Sequence, residues 1–227
     1  MPLDNLEKVI TVSYSMESSK DNVKISNENN NVFCAVGVHP ENVDEIDINT
    51  LEELAKNKKV VAIGEIGLDY HYEGFDKEKQ KQALIEQLKL AKKVNLPVII
   101  HLRDSYEDLK NILLEYKDIL TKVVIHCYSG SLEYAKELLN LGVYFSFTGI
   151  ITFKNARKVL DVIDFLPLNR IMIETDCPYL CPEPFRGNLN EPKMVKYVLE
   201  KICEIKRLDI ETVSKAIRNN VKEFFGI

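Results

Sequence analysis

No two of the five cysteines (34, 127, 177, 181 and 203) are spaced Cys-x-x-Cys, and five is an odd number, so no tidy disulfide framework is expected. A reducing compartment, the cytoplasm, is the simplest home for such a chain. No apolar run approaches the length of a membrane span. The opening Met-Pro-Leu-Asp-Asn-Leu-Glu lacks the basic and apolar stretches of a signal peptide. There is no excess of positive charge: 30 Lys and Arg face 35 Asp and Glu, for a net charge of -5. That argues against a broad basic surface gripping duplex DNA through many phosphates. It leaves room for an enzyme that holds a few nucleotides through a metal and one or two arginines. Repeats, low-complexity tracts and Gly/Ser linkers are missing, so residues 1–227 are expected to form one domain.

What is present is an alternation of short β-branched runs with longer amphipathic segments. The strand candidates are residues 9–14, 32–38, 60–66, 98–101, 123–126, 144–147 and 170–174. Runs such as Val60-Val61-Ala62-Ile63 and Pro97-Val98-Ile99-Ile100 are apolar without alternation, the pattern of strands buried on both faces. Helical periodicity marks residues 48–56, 77–94, 105–116, 132–140, 155–165, 191–205 and 210–225, with Asn190 as an N-cap before Pro192. Strand-helix alternation predicts a parallel α/β fold. The count of strands is seven, whereas a closed barrel of this class needs eight; on the count alone a doubly wound sheet remains open.

The informative residues are polar ones at strand ends. Glu65 lies near the end of Ala62-Ile63-Gly64-Glu65-Ile66, His101 closes Val98-Ile99-Ile100, His126 closes Val123-Val124-Ile125, and Asp176 follows Ile171-Met172-Ile173-Glu174-Thr175. An unpaired carboxylate in an apolar strand costs several kcal/mol unless a cation or donors compensate it. A histidine at a strand end is by itself more often a structural hydrogen-bonding residue. Two imidazoles and two carboxylates at the C-terminal ends of parallel strands suit a divalent cation such as zinc, manganese or magnesium, where barrel enzymes place their sites.

Seven motifs extend this reading. Val36-Gly37-Val38-His39-Pro40, Gly64-Glu65-Ile66-Gly67-Leu68-Asp69-Tyr70-His71, Asn95-Leu96-Pro97-Val98-Ile99-Ile100-His101 and His126-Cys127-Tyr128-Ser129-Gly130-Ser131 come first. Phe147-Thr148-Gly149, Glu174-Thr175-Asp176-Cys177-Pro178-Tyr179-Leu180 and Arg186-Gly187-Asn188-Leu189-Asn190-Glu191-Pro192 follow. In their order and spacing they resemble the signatures of TatD-type metal-dependent hydrolases. The resemblance implies a TIM-type (β/α) barrel and a deoxyribonuclease, commonly magnesium-dependent with 3′→5′ exonuclease activity. It also implies one or two divalent ions as cofactor, and DNA, as single strands or 3′ ends, as the partner. By matching motif, Glu65, His101, His126 and Asp176 would be metal ligands. Asp176 would also accept the proton of the attacking water, and Glu65 would share in catalysis.

One departure stands out. The family opens on a first strand bearing Asp-x-His-x-His, and the four histidines here (39, 71, 101 and 126) form no His-x-His. The resemblance therefore implies that the missing eighth strand is the first, a βα unit of roughly 25–30 residues. A misplaced start or a truly shortened, inactive remnant would each account for it. Around the proposed ligands, His71, Arg103 and Arg186 are candidates for substrate binding, and Asp69 for a supporting role on the loop after Glu65. His39 reads equally as a site residue or as part of a rigid His-Pro turn. Tyr179 reads as a stacking platform for a base or as a lid, and Ser131 as an N-cap rather than part of an anion cradle. Cys127 and Cys177 read as small apolar fillers. An amidohydrolase-like enzyme acting on a small molecule is the alternative on the same scaffold.

Overall fold

The structure, a computed structural model, describes residues 6–227, which divide into two compact units. The first spans Glu7–Ile125. It runs β1 (Val9–Val12), α1 (Met16–Glu28), β2 (Val32–Val36), α2 (Ile48–Ala55), β3 (Val60–Asp69), α3 (Lys77–Val94), β4 (Val98–Arg103), α4 (Tyr106–Glu115) and β5 (Val123–Ile125). Its five strands pair in chain order, all parallel. The second contains His126–Ile227, with α5 (Leu132–Asn140), β6 (Tyr144–Phe147), α6 (Arg157–Phe165), β7 (Ile171–Ile173), α7 (Val195–Lys206) and α8 (Ile210–Phe225). Strands β6 and β7 are parallel neighbours. Seven strands therefore appear among the described residues, the number expected. Their type follows from burial: every residue of β3 except Glu65 is buried, as befits a strand covered on both faces.

Helix α1 is the element that periodicity does not announce. Its buried residues are Ser19, Asn22 and Ser26, not apolar ones. Each is satisfied. The Ser19 hydroxyl donates to the Gly37 carbonyl and accepts its N–H, both at 3.1 Å. The Asn22 amide donates to the Ser13 hydroxyl at 2.9 Å and accepts from Thr11 at 3.0 Å, while Ser26 pairs with the Cys34 thiol at 3.4 Å. A capping box between Ser15 and Ser18 starts the helix and ends the preceding strand at Val12, two residues before the expected Tyr14. Polar residues thus do inside what hydrophobic spacing would have signalled.

Two features of β3 place the site. Its register against β4 shifts between Ile63 and Ile66, and this irregularity accommodates Glu65, whose N–H donates to the Ser13 carbonyl at 2.7 Å. Gly67, at φ +150°, lies so close to β4 that a Cβ there would sit 2.0 Å from the His101 carbonyl oxygen. Only glycine lets the C-terminal halves of these two strands, which carry Glu65 and His101 and run on to Asp69 and Arg103 past the expected ends at Ile66 and His101, approach this far.

Smaller differences concern ends. The Val123 strand stops at Ile125, leaving His126 and Cys127 in a turn with Cys127 at φ +46°. Helix α6 begins at Arg157 rather than Asn155, and α7 at Val195 after a short 3-10 turn, Pro192–Met194. That turn is preceded by Glu191, so Asn190 is not its N-cap. Ser131 does cap α5, accepting the Tyr134 N–H.

Candidate metal centre

In the first unit, His101 is held between two carboxylates. Its Nδ1 lies 2.8 Å from Glu65 Oε1, and its Nε2 lies 2.9 Å from Asp69 Oδ2. Asp69 is the last residue of β3 and is 3% exposed, so it is a buried strand residue and not the loop residue expected. Its other oxygen accepts the His71 backbone N–H at 2.8 Å. Burial alone would raise the Asp69 carboxyl, but the bonds from His101 and His71 outweigh it and hold the group below its ordinary value. The His39 ring meets His101 edge-on, 4.3 Å between centroids. One ligand atom from each of His39, Glu65 and His101 lies within 4.8 Å of the others. His39 also starts the Pro40–Glu45 turn, where its ring accepts the Glu41 N–H.

The second unit repeats the scheme. His126 Nδ1 lies 2.7 Å from Glu174 Oε2, and the other Glu174 oxygen accepts the Cys127 N–H at 2.7 Å. His126 Nε2 is 3.7 Å from Asp176 Oδ1. Glu174 stands just past β7, its N–H bonded to the Phe147 carbonyl at 3.0 Å. Asp176, at φ +55°, sits in the loop beyond.

These donors fit a divalent cation. An imidazole that donates one N–H to Asp69 or Glu174 offers a lone pair at its other nitrogen, and in both units that nitrogen faces a second carboxylate. Lone pair would meet lone pair unless a cation or a second ring proton intervened. Two ligands on bonds of about 2.1 Å stand roughly 3.0 Å apart at a right angle and roughly 3.4 Å at the tetrahedral angle. The separations of 2.8 and 3.7 Å bracket that range. A carboxylate on the far nitrogen of a ligating histidine is the usual support of such a ligand.

Among the residues expected from the sequence, Glu174 is absent and Asp69 has only a supporting role, yet each carries the same signal as Glu65: an acidic residue within or just beyond an apolar run.

A family model described as TatD related DNase matches residues 4–226. The chain belongs to this family. Over 99% of this TatD-family chain and 89% of its relative, it is 41% identical to the uncharacterized metal-dependent hydrolase YabD of Bacillus subtilis. It is 40% identical to the uncharacterized metal-dependent hydrolase YcfH of Escherichia coli, over 88% of this chain and 76% of that one. The crystal structure of YJJV, a TatD homolog from Escherichia coli, superposes with a TM-score of 0.92 at 32% identity, covering 97% of this chain and 87% of that one. The expected TIM-type (β/α) fold is therefore the fold of this TatD-family protein.

The remaining candidates make local contacts. His71 Nδ1 pairs with Asp104 Oδ2 at 2.9 Å. The Arg103 guanidinium lies over the Tyr72 ring at 5.2 Å, and that of Arg186 over Phe153 at 4.2 Å. Stacking of this kind occupies the guanidinium face and leaves N–H groups at its edge for an anion. Tyr179 is 71% exposed. Burial pushes the Cys127 thiol up to about 11, with neighbouring Glu174 and Asp176 acting in the same sense against His126. A group so raised is a thiol at pH 8. Iodoacetamide at that pH should label Cys127 only after denaturation; rapid labelling of the native protein, read by mass spectrometry, would contradict the filler role.

Proposed function

We propose that this TatD-family protein is a metal-dependent hydrolase that cleaves phosphodiester bonds of DNA, working 3′→5′ from single-stranded ends. The supporting observation is the twice-repeated arrangement of carboxylate, imidazole and second carboxylate: Asp69, His101 and Glu65, then Glu174, His126 and Asp176. Glu65, His101, His126 and Asp176 would hold magnesium, manganese or zinc, as one or two ions, with His39 at hand beside the first pair. When bound, such a cation polarises a phosphoryl oxygen and lowers the pKa of a coordinated water.

The protein's own groups do the rest. Asp69 and Glu174 fix the ring orientation of His101 and His126 and make each more basic. Asp176, half-buried in its loop, takes the proton from the attacking water. Arg103 and Arg186, with His71, hold the substrate phosphates; a chain of net charge -5 grips through a few such contacts rather than a basic face. Among the described residues no helix is long and apolar enough to cross a membrane, and the five free cysteines support a reducing compartment, the cytoplasm.

The test is single-stranded DNA labelled at the 3′ or at the 5′ end, assayed with Mg²⁺, Mn²⁺ or Zn²⁺ and with chelator. Early release of the 3′ label as mononucleotide, abolished by chelator and restored by metal, is the expected result. Turnover of small amides or carboxylic esters with no release from DNA under any metal would replace this reading with the small-molecule hydrolase.

A further inference from the structure

We infer that Asn190 is the positioning residue for Asp176, clasping the turn that carries it; the inference rests on the part proposed above for Asp176. Beyond β7 the chain leaves the strand ladder, and Asp176 adopts φ +55°, a region that residues bearing a Cβ enter sparingly. Within the turn, the Tyr179 N–H donates to the Asp176 carbonyl at 2.9 Å. A single bond of this kind does not dictate where the Asp176 carboxylate points.

Asn190 supplies what the turn lacks. Its side-chain nitrogen donates to the Thr175 carbonyl at 2.7 Å and to the Tyr179 carbonyl at 2.6 Å, one on each side of Asp176. Its backbone N–H donates to the Pro178 carbonyl at 3.0 Å, and its side-chain oxygen accepts the Glu191 N–H at 2.9 Å. The residue is fully buried, at 0% exposure, and every polar atom of its side chain is used. Two acceptors meeting one atom fix the amide orientation, since only the nitrogen can serve both.

The geometry also explains the residue type. A carboxylate here would set oxygen against two carbonyl oxygens, a hydroxyl has one proton to give, and glutamine is a methylene too long. Holding the Thr175 carbonyl fixes the peptide that enters Asp176, hence the direction in which its side chain departs. That direction sets the 3.7 Å between Asp176 Oδ1 and His126 Nε2, an imidazole already held by Glu174. Displacements of about 1 Å in such groups cost roughly a hundredfold in rate.

The experiment compares Asn190→Ala, Asn190→Asp and Asn190→Ser with wild type in the full chain. Four quantities are read: hydrogen exchange of the segment around Tyr179, Mn²⁺ affinity by calorimetry, and kcat and KM on single-stranded DNA. Faster exchange at Tyr179 is expected together with a loss of about 10–100-fold in Mn²⁺ affinity or kcat and little change in KM. Asn190→Ser, which keeps one donor, should fall between wild type and Asn190→Ala and serves alone if the others do not fold. Variants that fold and exchange faster at Tyr179 yet match wild type in Mn²⁺ affinity and kcat would make Asn190 a structural tie only and overturn the inference. If wild type cleaves no DNA, the nuclease reading falls, while Mn²⁺ affinity and exchange still decide the role of Asn190.

Discussion

Glu65→Gln removes hydrolysis without weakening the metal-free protein. The Glu65 side chain is 16% exposed and shares the His101 imidazole with Asp69, so two carboxylates crowd one ring in little water. Without a cation, the two like charges repel each other across the one imidazole they share. Glutamine keeps the shape and removes the charge. The metal-free variant is therefore expected to unfold at a Tm no lower than wild type. The cation-dependent gain should vanish: a ligand at a hundred times its Kd stabilises a folded protein by about 2.7 kcal/mol, and the variant forfeits that increment. Turnover should fall by more than about 100-fold, beyond the 10–100-fold typical of residues that only support a ligand. Thermal unfolding with and without Mn²⁺, alongside the DNA assay, checks both halves. A variant that keeps the Mn²⁺-dependent rise in Tm and the wild-type rate would remove Glu65 from the site.

Asp176→Asn separates proton transfer from structure. Asparagine tolerates the left-handed backbone that Asp176 adopts, as alanine does not, so the turn and its Asn190 clasp persist. What asparagine lacks is a basic oxygen. A positioned general base is worth about 10²–10⁴ in rate, so kcat should fall within that range while KM for single-stranded DNA changes little. Near-wild-type kcat in Asp176→Asn would assign the base elsewhere. A rise in KM with unchanged kcat would make Asp176 a binding residue.

Much of the fold is legible along the chain because burial on both strand faces writes itself as uninterrupted apolar runs. Each of the seven runs is a strand, and α3, α5 and α8 begin and end where their apolar stripes do. Helix α1 is the instructive exception. Its inner face is Ser19, Asn22 and Ser26, whose stabilising partners, the Gly37 backbone, Ser13 and Cys34, are nearby in space and distant in periodic pattern. Hydrogen bonds between particular atoms leave no period in a sequence.

The candidate site divides in the same way. Glu65, His101, His126 and Asp176 stand out unaided, because an ionisable side chain within or just beyond an apolar run conflicts with its surroundings unless something compensates it. That much the amino-acid order determines, along with the parallel α/β class and the family. Which nitrogen of each histidine is occupied, and by whom, was decided by tertiary structure alone. Asp69 reaches His101 across the β3 and β4 strand ends that Gly67 allows to close up, and Glu174 reaches His126 from 48 residues away. Asn190 shows the difference most clearly: in sequence it looks like a helix cap, and in space it ties a turn. A cap is a local matter of three or four residues, whereas a clasp depends on carbonyl groups that only the folded chain brings within reach.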